Sequence, residues 1–409
     1  MDDTHRSSGI ATCINTVLPP ELVDRTLDYL HDDKTSLMIC SLVCKHWHHT
    51  GRFHLFRQMK LGSWIFIWDL STAGHYDKFP DYLSRFTQEA SHLCVNTEAI
   101  TVSGGVSGID MGEFTLDMLD VILKCAPCLQ SLTLSNVELR AGGSNAQMSH
   151  VYPSVRDLVL DECGVNSGKV LSALFCLLPS IRHFYLFHLR FLTPYDQLFE
   201  ALPPHVALES FTGRVDSIAS LLLFFRDTCT AGSLRCLDLG VMSDLQEVLG
   251  MRHFDPLVMQ NVLSLRVGLS TVISSHENGK FVIYYAKDYL ESFWEAMPLQ
   301  HFTSLIEFTL AIDFRLTMHH IRVFDSISAT VRNIRIDVGQ IVFFDDIGSE
   351  IWDLLDQLPS RFTHLESVKF HHLEIKFSGA AHCLTLPEKT SALQEHMPNL
   401  VSNGLLYVT

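Results

Sequence analysis

A short phrase of apolar residues recurs along most of the chain, and its period limits the folds that the chain can adopt. The phrase is an apolar residue, two variable residues, a second apolar residue, one variable residue and a third apolar residue. Its first five copies start 26, 26, 27 and 26 residues apart. Such a period is typical of repeat proteins, in which each unit packs against its neighbours. Copies begin at Leu129, Val155, Ile181, Leu208 (a weak copy), Leu234, Val262, Leu305, Val331 and Leu365.

Each copy of the phrase is predicted to be a β-strand, because its apolar and variable residues alternate. Pro127, Pro153 and Pro179 each stand two residues before a phrase, where they end the preceding segment. Helical spacing of apolar residues is found between the phrases, at 116–123, 170–178, 218–225, 289–296 and 351–358.

Alternating strands and helices at this period resemble the leucine-rich repeat. The resemblance implies an α/β solenoid built from strand–helix repeats of about 26 residues. The asparagine or cysteine that usually closes the strand turn is mostly absent, and Asn136 and Cys163 come closest to it. The repeat is therefore degenerate. The hydrophobic content of 47% fits an array whose units bury both a strand and a helix face.

The interval between the copies at Val262 and Leu305 is 43 residues long. It contains the segment 272–285, which has an Asn278-Gly279 pair near its middle. Asn-Gly is the preferred two-residue turn of a β-hairpin, so a hairpin inserted into the solenoid is predicted. A longer irregular loop is equally consistent with the sequence.

Apolar residues have helical spacing in three short segments between Leu18 and Leu61. Val23 and Leu27 share one face of the first segment, and Leu37 opens the apolar face of the second, for which Asp33 is a plausible N-cap. Three short helices enclose little core, so part of their apolar surface is expected to meet a partner.

Four motifs of this segment resemble the F-box: Leu18-Pro19-Pro20-Glu21-Leu22, Leu27-Asp28-Tyr29-Leu30, Leu42-Val43-Cys44-Lys45-His46-Trp47 and His54-Leu55-Phe56. F-box proteins are substrate receptors of cullin-RING ubiquitin ligases of the SCF type, and the F-box docks on a small Skp-type adaptor. The resemblance implies an N-terminal three-helix F-box. The alternative is an unrelated helical subdomain whose apolar stripe is core.

By this resemblance, the first residues of the motif would bind the adaptor. Other residues would form the helical face and the core, and Trp47 would be the aromatic residue that closes the motif. The implied adaptor-binding residues are Leu18, Pro19, Pro20, Glu21, Leu22, Leu27, Leu30, Leu37, Val43, Cys44 and Trp47. The expected organisation is a disordered N-terminus at 1–15, the F-box at 16–62, the solenoid at 63–377 and a C-terminal tail at 378–409.

A partner surface is predicted on the open face of the solenoid. Within a strand phrase the second and third apolar residues point inward, so their neighbours point outward. This places three ring-bearing side chains, His183, Tyr185 and Phe187, together on one strand, with Asp157 and Arg335 among the polar residues of other strands. Aromatic residues with a polar rim are typical of recognition surfaces. The alternative is that a loop or the tail covers the rings.

Charge and hydropathy exclude two classes of partner. The formal net charge is −16, which disfavours binding to nucleic acid because that binding depends on Lys and Arg. The longest apolar runs, such as Leu221 to Phe225, are far shorter than the roughly 20 residues that cross a membrane. Eleven cysteines in apolar surroundings and the polar first residues favour a cytoplasmic or nuclear protein.

Catalytic residues, cofactors and metal ligands are not expected. No phosphate-binding, zinc-protease or nucleophile-elbow motif occurs, and the close pair Cys125 and Cys128 lacks a second pair at ligand spacing. The F-box resemblance implies a non-catalytic subunit that recognises an unknown protein substrate and reaches a cullin scaffold through the adaptor. Alternatives are a non-degradative F-box scaffold and, less favoured, an unrecognised enzyme.

Overall fold

The structure is a computed structural model of the 409-residue chain. It describes residues 19–62, 91–104, 112–142, 150–191, 203–214, 228–242, 256–269, 272–277, 280–285, 299–312, 316, 318–338, 341–343, 347–371, 374–376 and 384–408. The predicted N-terminal segment 1–15 and the predicted helices at 218–225 and 289–296 lie outside these residues. The chain divides into two compact units, Met1–Val102 with Met118–Leu132, and Ser103–Asp117 with Thr133–Thr409.

The first unit begins with three helices: α1 (Pro20–Tyr29), α2 (Lys34–Ser41) and α3 (Lys45–Arg57). Pro20 opens α1, where its missing N–H is harmless. The Asp33 carboxylate caps α2 by accepting a hydrogen bond from the Ser36 N–H at 3.0 Å, which confirms the predicted N-cap. Beyond the helices follow β1 (Gln58–Gly62), a 3₁₀ turn (Ser91–Asn96), β2 (Ala99–Ser103) and α4 (Leu116–Cys125), so the first unit extends well beyond residue 62.

A small core holds the three helices together. Val23, Leu27 and Leu37 are buried at its centre. The residues Leu30, Cys40, Trp47 and Leu55 are partly buried and pack against that centre. Since so few side chains are fully enclosed, most apolar residues of α2 remain on its surface.

The second unit contains most of the strands and the remaining helices. Its strands are β3 (Gly112–Thr115), β4 (Ser131–Ser135, shared with the first unit), β5 (Val137–Arg140), β6 (Asp157–Asp161), β7 (Gly164–Val165), β8 (His183–Phe187), β9 (Arg190–Phe191), β10 (Ser210–Arg214), β11 (Cys236–Met242), β12 (Ser264–Leu269), β13 (Val272–Glu277), β14 (Lys280–Tyr285), β15 (Glu307–Ile312), β16 (Asn333–Val338), β17 (Ile341–Phe343), β18 (Ser367–His371), β19 (Glu374–Lys376) and β20 (Leu406–Val408). Its helices are α5 (Gly168–Leu177), α6 (Thr230–Ser233), α7 (Pro256–Gln260), α8 (Met318–Ile321), α9 (Ser349–Asp356), α10 (Leu358–Arg361), α11 (Leu386–His396) and α12 (Pro398–Ser402), with 3₁₀ turns at Leu299–His301 and Arg322–Asp325.

The fold of this unit is α/β with a long parallel sheet, consistent with a solenoid. Strands β6, β8, β10, β11, β12, β15, β16, β18 and β20 pair in that order, and every pair is parallel. A second sheet has the order β3, β5, β7, β9. Parallel neighbours require a crossover between strands, and the helices and turns listed above provide several of these crossovers.

The repeated phrase occupies the same register position in each strand. The second apolar residue of one copy pairs with the second apolar residue of the next, and all of them are buried. These aligned residues are Leu158, Phe184, Phe211, Leu237, Leu265, Phe308, Ile334 and Val368. The weak copy at Leu208 forms β10 in this register.

The long interval does contain a hairpin. Strands β13 and β14 pair antiparallel from Val272 opposite Tyr285 to Glu277 opposite Lys280. This register leaves two residues for the turn, Asn278 and Gly279, which lie outside the described residues. The prediction of a hairpin rather than an irregular loop is therefore confirmed for its strands.

Three successive strands end in the same unusual turn. Asn136, Glu162 and His188 follow β4, β6 and β8 and have φ angles of 53°, 50° and 51°. The Glu162 N–H donates to the carbonyl oxygen of Phe187 at 2.8 Å, and Asn136 makes the equivalent bond to Asp161 at 2.9 Å. The turn thus joins neighbouring repeats, at the cost of holding side-chain-bearing residues in the left-handed region.

Replacing Glu162 by glycine is expected to raise the free energy of unfolding by about 1 kcal/mol, because glycine adopts positive φ without steric cost. Urea unfolding of Glu162→Gly beside wild type measures the change. The neighbouring strand residue provides the control, since Asp161→Gly should lower stability. Equal destabilisation by both substitutions would contradict the strain argument.

The last residues of the chain are folded onto the end of the sheet. The buried Asp356 carboxylate accepts hydrogen bonds from the backbone N–H groups of Asn399 at 3.2 Å and Leu400 at 2.9 Å. Strand β20 pairs with β18. Within 378–409, the segment predicted as a tail, residues 384–408 are described and contribute α11, α12 and the last strand of the sheet.

Candidate functional site

The first candidate site is an exposed apolar surface on α2 of the first unit. Leu37 faces the core, whereas Met38 and Ile39 lie on other sides of the helix and are 60% and 63% exposed. Leu42 at the C-cap is 84% exposed, and Val43 beside it is 47% exposed. We call Met38, Ile39, Leu42 and Val43 the docking patch. Four neighbouring apolar side chains left in water are a feature of binding surfaces.

Histidines of α3 anchor this helix to α1 and to the end of α2. The His54 imidazole lies 2.9 Å from the Asp28 carboxylate, and the His46 imidazole lies 3.6 Å from the Asp24 carboxylate. The Nδ1 atom of His48 is hydrogen-bonded to the Ser41 carbonyl oxygen at 3.1 Å. These contacts hold in place the helices that carry the docking patch.

The residues implied by the F-box resemblance occupy three kinds of position. Pro19, Glu21, Leu22 and Val43 are exposed. Leu27 and Leu37 are completely buried, so they can only support a surface from beneath. Leu30, Cys44 and Trp47 are half-buried; Pro20 begins α1; and Leu18 lies outside the described residues.

Three of the most exposed apolar residues, Met38, Ile39 and Leu42, are absent from the predicted set. The exposure of Met38 and Ile39 could have been predicted from the sequence. Once Leu37 is placed on the buried side of α2, helical geometry puts Met38 and Ile39 on other sides of the helix. Met38 and Ile39 lie outside the four quoted motifs, and Leu42, although it begins the third motif, is not included among the implied adaptor-binding residues.

The second candidate site is the outward face of the parallel sheet in the second unit. His183, Tyr185 and Phe187 are half-buried, whereas Phe184 and Leu186 between them are buried, as the alternation predicted. Asp157 of β6 pairs in register with His183. The structure therefore brings Asp157 and the three rings together. Burial, followed by the Asp157 and Cys236 charges, raises the pKa of the Tyr185 hydroxyl, which stays protonated at neutral pH.

Arg335 belongs to a different part of that face. It lies on β16, five strands along the sheet from β8, which is roughly 24 Å at the usual strand spacing. The five residues predicted as one partner-binding set therefore form two clusters on the same face of the sheet.

Outward residues in equivalent positions form a row across the strands. Asp238, Arg266, Thr309, Arg335 and Lys369 follow one another in register from β11 to β18. They line a pocket of about 380 Å³ together with Glu307 of β15. We call the pocket lined by Asp238, Arg266, Glu307, Thr309, Arg335 and Lys369 the arginine pocket. Of its members, Arg335 belongs to the predicted partner-binding set, and the alternation of the strand phrases also places Arg266 and Lys369 on the outward face.

The arginine side chains of this pocket are held by carboxylates. Arg266 Nη1 lies 3.3 Å from the Asp238 carboxylate, and Arg266 Nε lies 3.3 Å from the Asp337 carboxylate. Arg335 donates through Nε to Asp337, and its Nη2 donates to Nδ1 of His371 at 2.7 Å. The network fixes both guanidinium groups on the sheet surface.

Among the described residues, no group of three or more His, Cys, Asp or Glu side chains is placed to hold a metal ion. No helix in the described part of the chain is both long and apolar enough to cross a membrane.

Comparison with known proteins gives little guidance. No protein-family model matches the chain, and no curated protein matches it in sequence. Among solved structures, a crystal structure of a protein from Bacteroides fragilis is similar over 66% of this chain, with a TM-score of 0.37 and 11% sequence identity. The match spans 63% of the length of that bacterial protein.

Proposed function

We propose that the chain is the substrate-recognition subunit of an SCF-type cullin-RING ubiquitin ligase. In this proposal residues 16–62 form an F-box that docks on a Skp-type adaptor, and through it on a cullin, while the repeats bind a target protein. The proposal rests on the F-box-like motifs, on the docking patch and on the outward face of the parallel sheet. The chain supplies no catalytic residue or cofactor to the reaction.

The observation that carries the proposal is the exposure of the docking patch. Leu42, Ile39 and Met38 are each at least 60% exposed on a helix bundle in which Val23, Leu27 and Leu37 are the buried core residues among those described. Burying such residues against a partner is favourable by about 25 cal/mol per Å² of apolar surface. A helical adaptor surface would provide that burial.

Ubiquitin transfer in this scheme is performed by other subunits. The chain would bind a target through the second unit and the adaptor through the first, which raises the local concentration of a target lysine near the ligase's catalytic subunits. The proposed chemistry is therefore positional.

Co-expression tests the assignment. The tagged chain is expressed with a Skp-type adaptor and a cullin, and a complex containing all three proteins is expected after affinity purification and size exclusion. Recovery of the chain alone, folded by circular dichroism, would contradict the proposal. A complex whose bound partners are neither ubiquitinated in a reconstituted reaction nor stabilised by proteasome inhibition would instead support a non-degradative scaffold.

A further inference from the structure

We propose that the arginine pocket binds an acidic side chain, aspartate or glutamate, in a short segment of the partner protein. This inference rests on the proposed function, because it specifies what the repeats recognise. The argument starts from a charged residue in an unexpected place, the buried carboxylate of Asp337.

The Asp337 side chain is only 11% exposed on the outward side of β16. Its register neighbour on β15 is Ala311, and next to that on β12 is Gly268. A Cβ atom at Gly268 would lie 2.5 Å from the Ala311 carbonyl oxygen, so this part of the sheet surface tolerates only small residues. A buried carboxylate is costly unless it is paired, and Asp337 is paired with both arginines.

The arginines reach Asp337 from different strands. Arg266 projects from β12, so its side chain must cross β15 to place Nε 3.3 Å from the carboxylate. Small residues at Gly268 and Ala311 leave room for that crossing. Asp337 thus positions two guanidinium groups beside Thr309, in the way that supporting residues orient the side chains of a binding site.

Each guanidinium keeps one nitrogen that these partners do not use. The bonds described above use Nε and Nη1 of Arg266 and Nε and Nη2 of Arg335. Within the described part of the chain, Arg266 Nη2 and Arg335 Nη1 make no hydrogen bond. The two side chains are 38% and 42% exposed, so these donors can reach a ligand.

Lys369 adds, at one end of the pocket, a positive charge without an ion-pair partner among the described residues. It pairs in register with Arg335, is exposed, and forms no ion pair with any described residue. Arg335 and Lys369 together match a carboxylate, which accepts charge-assisted hydrogen bonds from both.

The formal charge of the pocket disfavours a phosphate dianion as the ligand. Three cations, Arg266, Arg335 and Lys369, are accompanied by the carboxylates of Asp238, Asp337 and Glu307. Glu307 is exposed and would repel a second negative charge. The chain's net charge of −16 also disfavours a polyanion such as nucleic acid. An acidic side chain of a protein segment is the ligand that fits these constraints.

The test uses purified full-length chain, without adaptor, and a phage library of random nonapeptides. We expect selected peptides to share an Asp or Glu at one position. For a labelled peptide from that selection, measured by fluorescence anisotropy, replacing the shared Glu or Asp by its amide should weaken binding about tenfold or more.

Variants of the chain test whether the peptide binds in the arginine pocket. Lys369→Glu and Arg335→Lys should each lower the affinity for the labelled peptide about tenfold. Arg335→Lys should do so because lysine keeps the charge but lacks the planar, forked donors of a guanidinium. Arg322→Glu, an exposed charge reversal on a 3₁₀ turn outside the sheet, is the matched control and should bind normally. Lys369 is exposed and unpaired, so its variant is expected to fold as wild type, which circular dichroism checks.

The proposal is overturned if no acidic position is enriched, if both pocket variants bind the peptide as wild type does, or if phosphoserine at the shared position binds more than about tenfold tighter than the acidic residue. A separate titration of Lys369→Glu with the Skp-type adaptor should match wild type. A wild-type chain that binds the adaptor but enriches no acidic position contradicts the pocket alone, and a chain that binds the acidic peptide but not the adaptor contradicts the proposed function alone.

Discussion

Replacing Leu42 by aspartate is expected to weaken binding of the chain to a Skp-type adaptor at least a hundredfold, to the point that the complex no longer co-purifies. Leu42 is 84% exposed and makes no contribution to the core of the three helices. In the proposed complex it lies in the centre of the docking patch, where a carboxylate would be buried against apolar adaptor residues without a partner.

The control for this prediction is Val151→Asp, which introduces the same charge at another exposed apolar residue, 59% exposed and remote in sequence from the helices. It should leave adaptor binding unchanged. Thermal unfolding of both variants should match wild type, since neither residue is buried. Retention of the adaptor by Leu42→Asp would show that α2 does not form the interface.

Replacing Phe184 by alanine is expected to lower the free energy of unfolding by about 3–5 kcal/mol. The ring is 1% exposed and connects three structural elements. Its centroid lies 5.2 Å from that of Phe175 on α5, in an edge-to-face arrangement, and 5.8 Å from that of Phe211 on β10. Removing it leaves a cavity between a helix and two strands of neighbouring repeats.

The matched control is Phe187→Ala on the same strand. Phe187 points to the outward face and is half-buried, so its loss should cost about 1 kcal/mol. Urea unfolding monitored by circular dichroism measures both values. If the two substitutions cost the same, the assignment of inward and outward faces of β8 is wrong.

The periodic part of the fold was accessible from the sequence, because the pattern of burial in a parallel sheet is local. A strand whose second and third apolar residues face inward leaves a readable phrase, and Leu158, Phe184 and Phe211 align across the sheet in the register that the phrase predicts. The second sheet was not predicted. Strands as short as Gly164–Val165 contain too few residues to show alternation.

The ion pairs of the arginine pocket could not be predicted from the sequence, because they join residues that are far apart in the chain. Arg266 and Asp337 are 71 residues apart and meet only because β12 and β16 flank β15. Each residue by itself looks like an ordinary outward-facing charge. The docking patch could be predicted in part, because the F-box-like motif located the helices but not the exposed side of α2.

A calorimetric titration of the purified full-length chain with a purified Skp-type adaptor tests the central claim most directly. The proposed F-box predicts a stoichiometry of one to one and a Kd below about 1 μM, with binding lost in Leu42→Asp and kept in Val151→Asp. A folded wild-type chain that gives no binding heat and no complex on size exclusion would contradict the account.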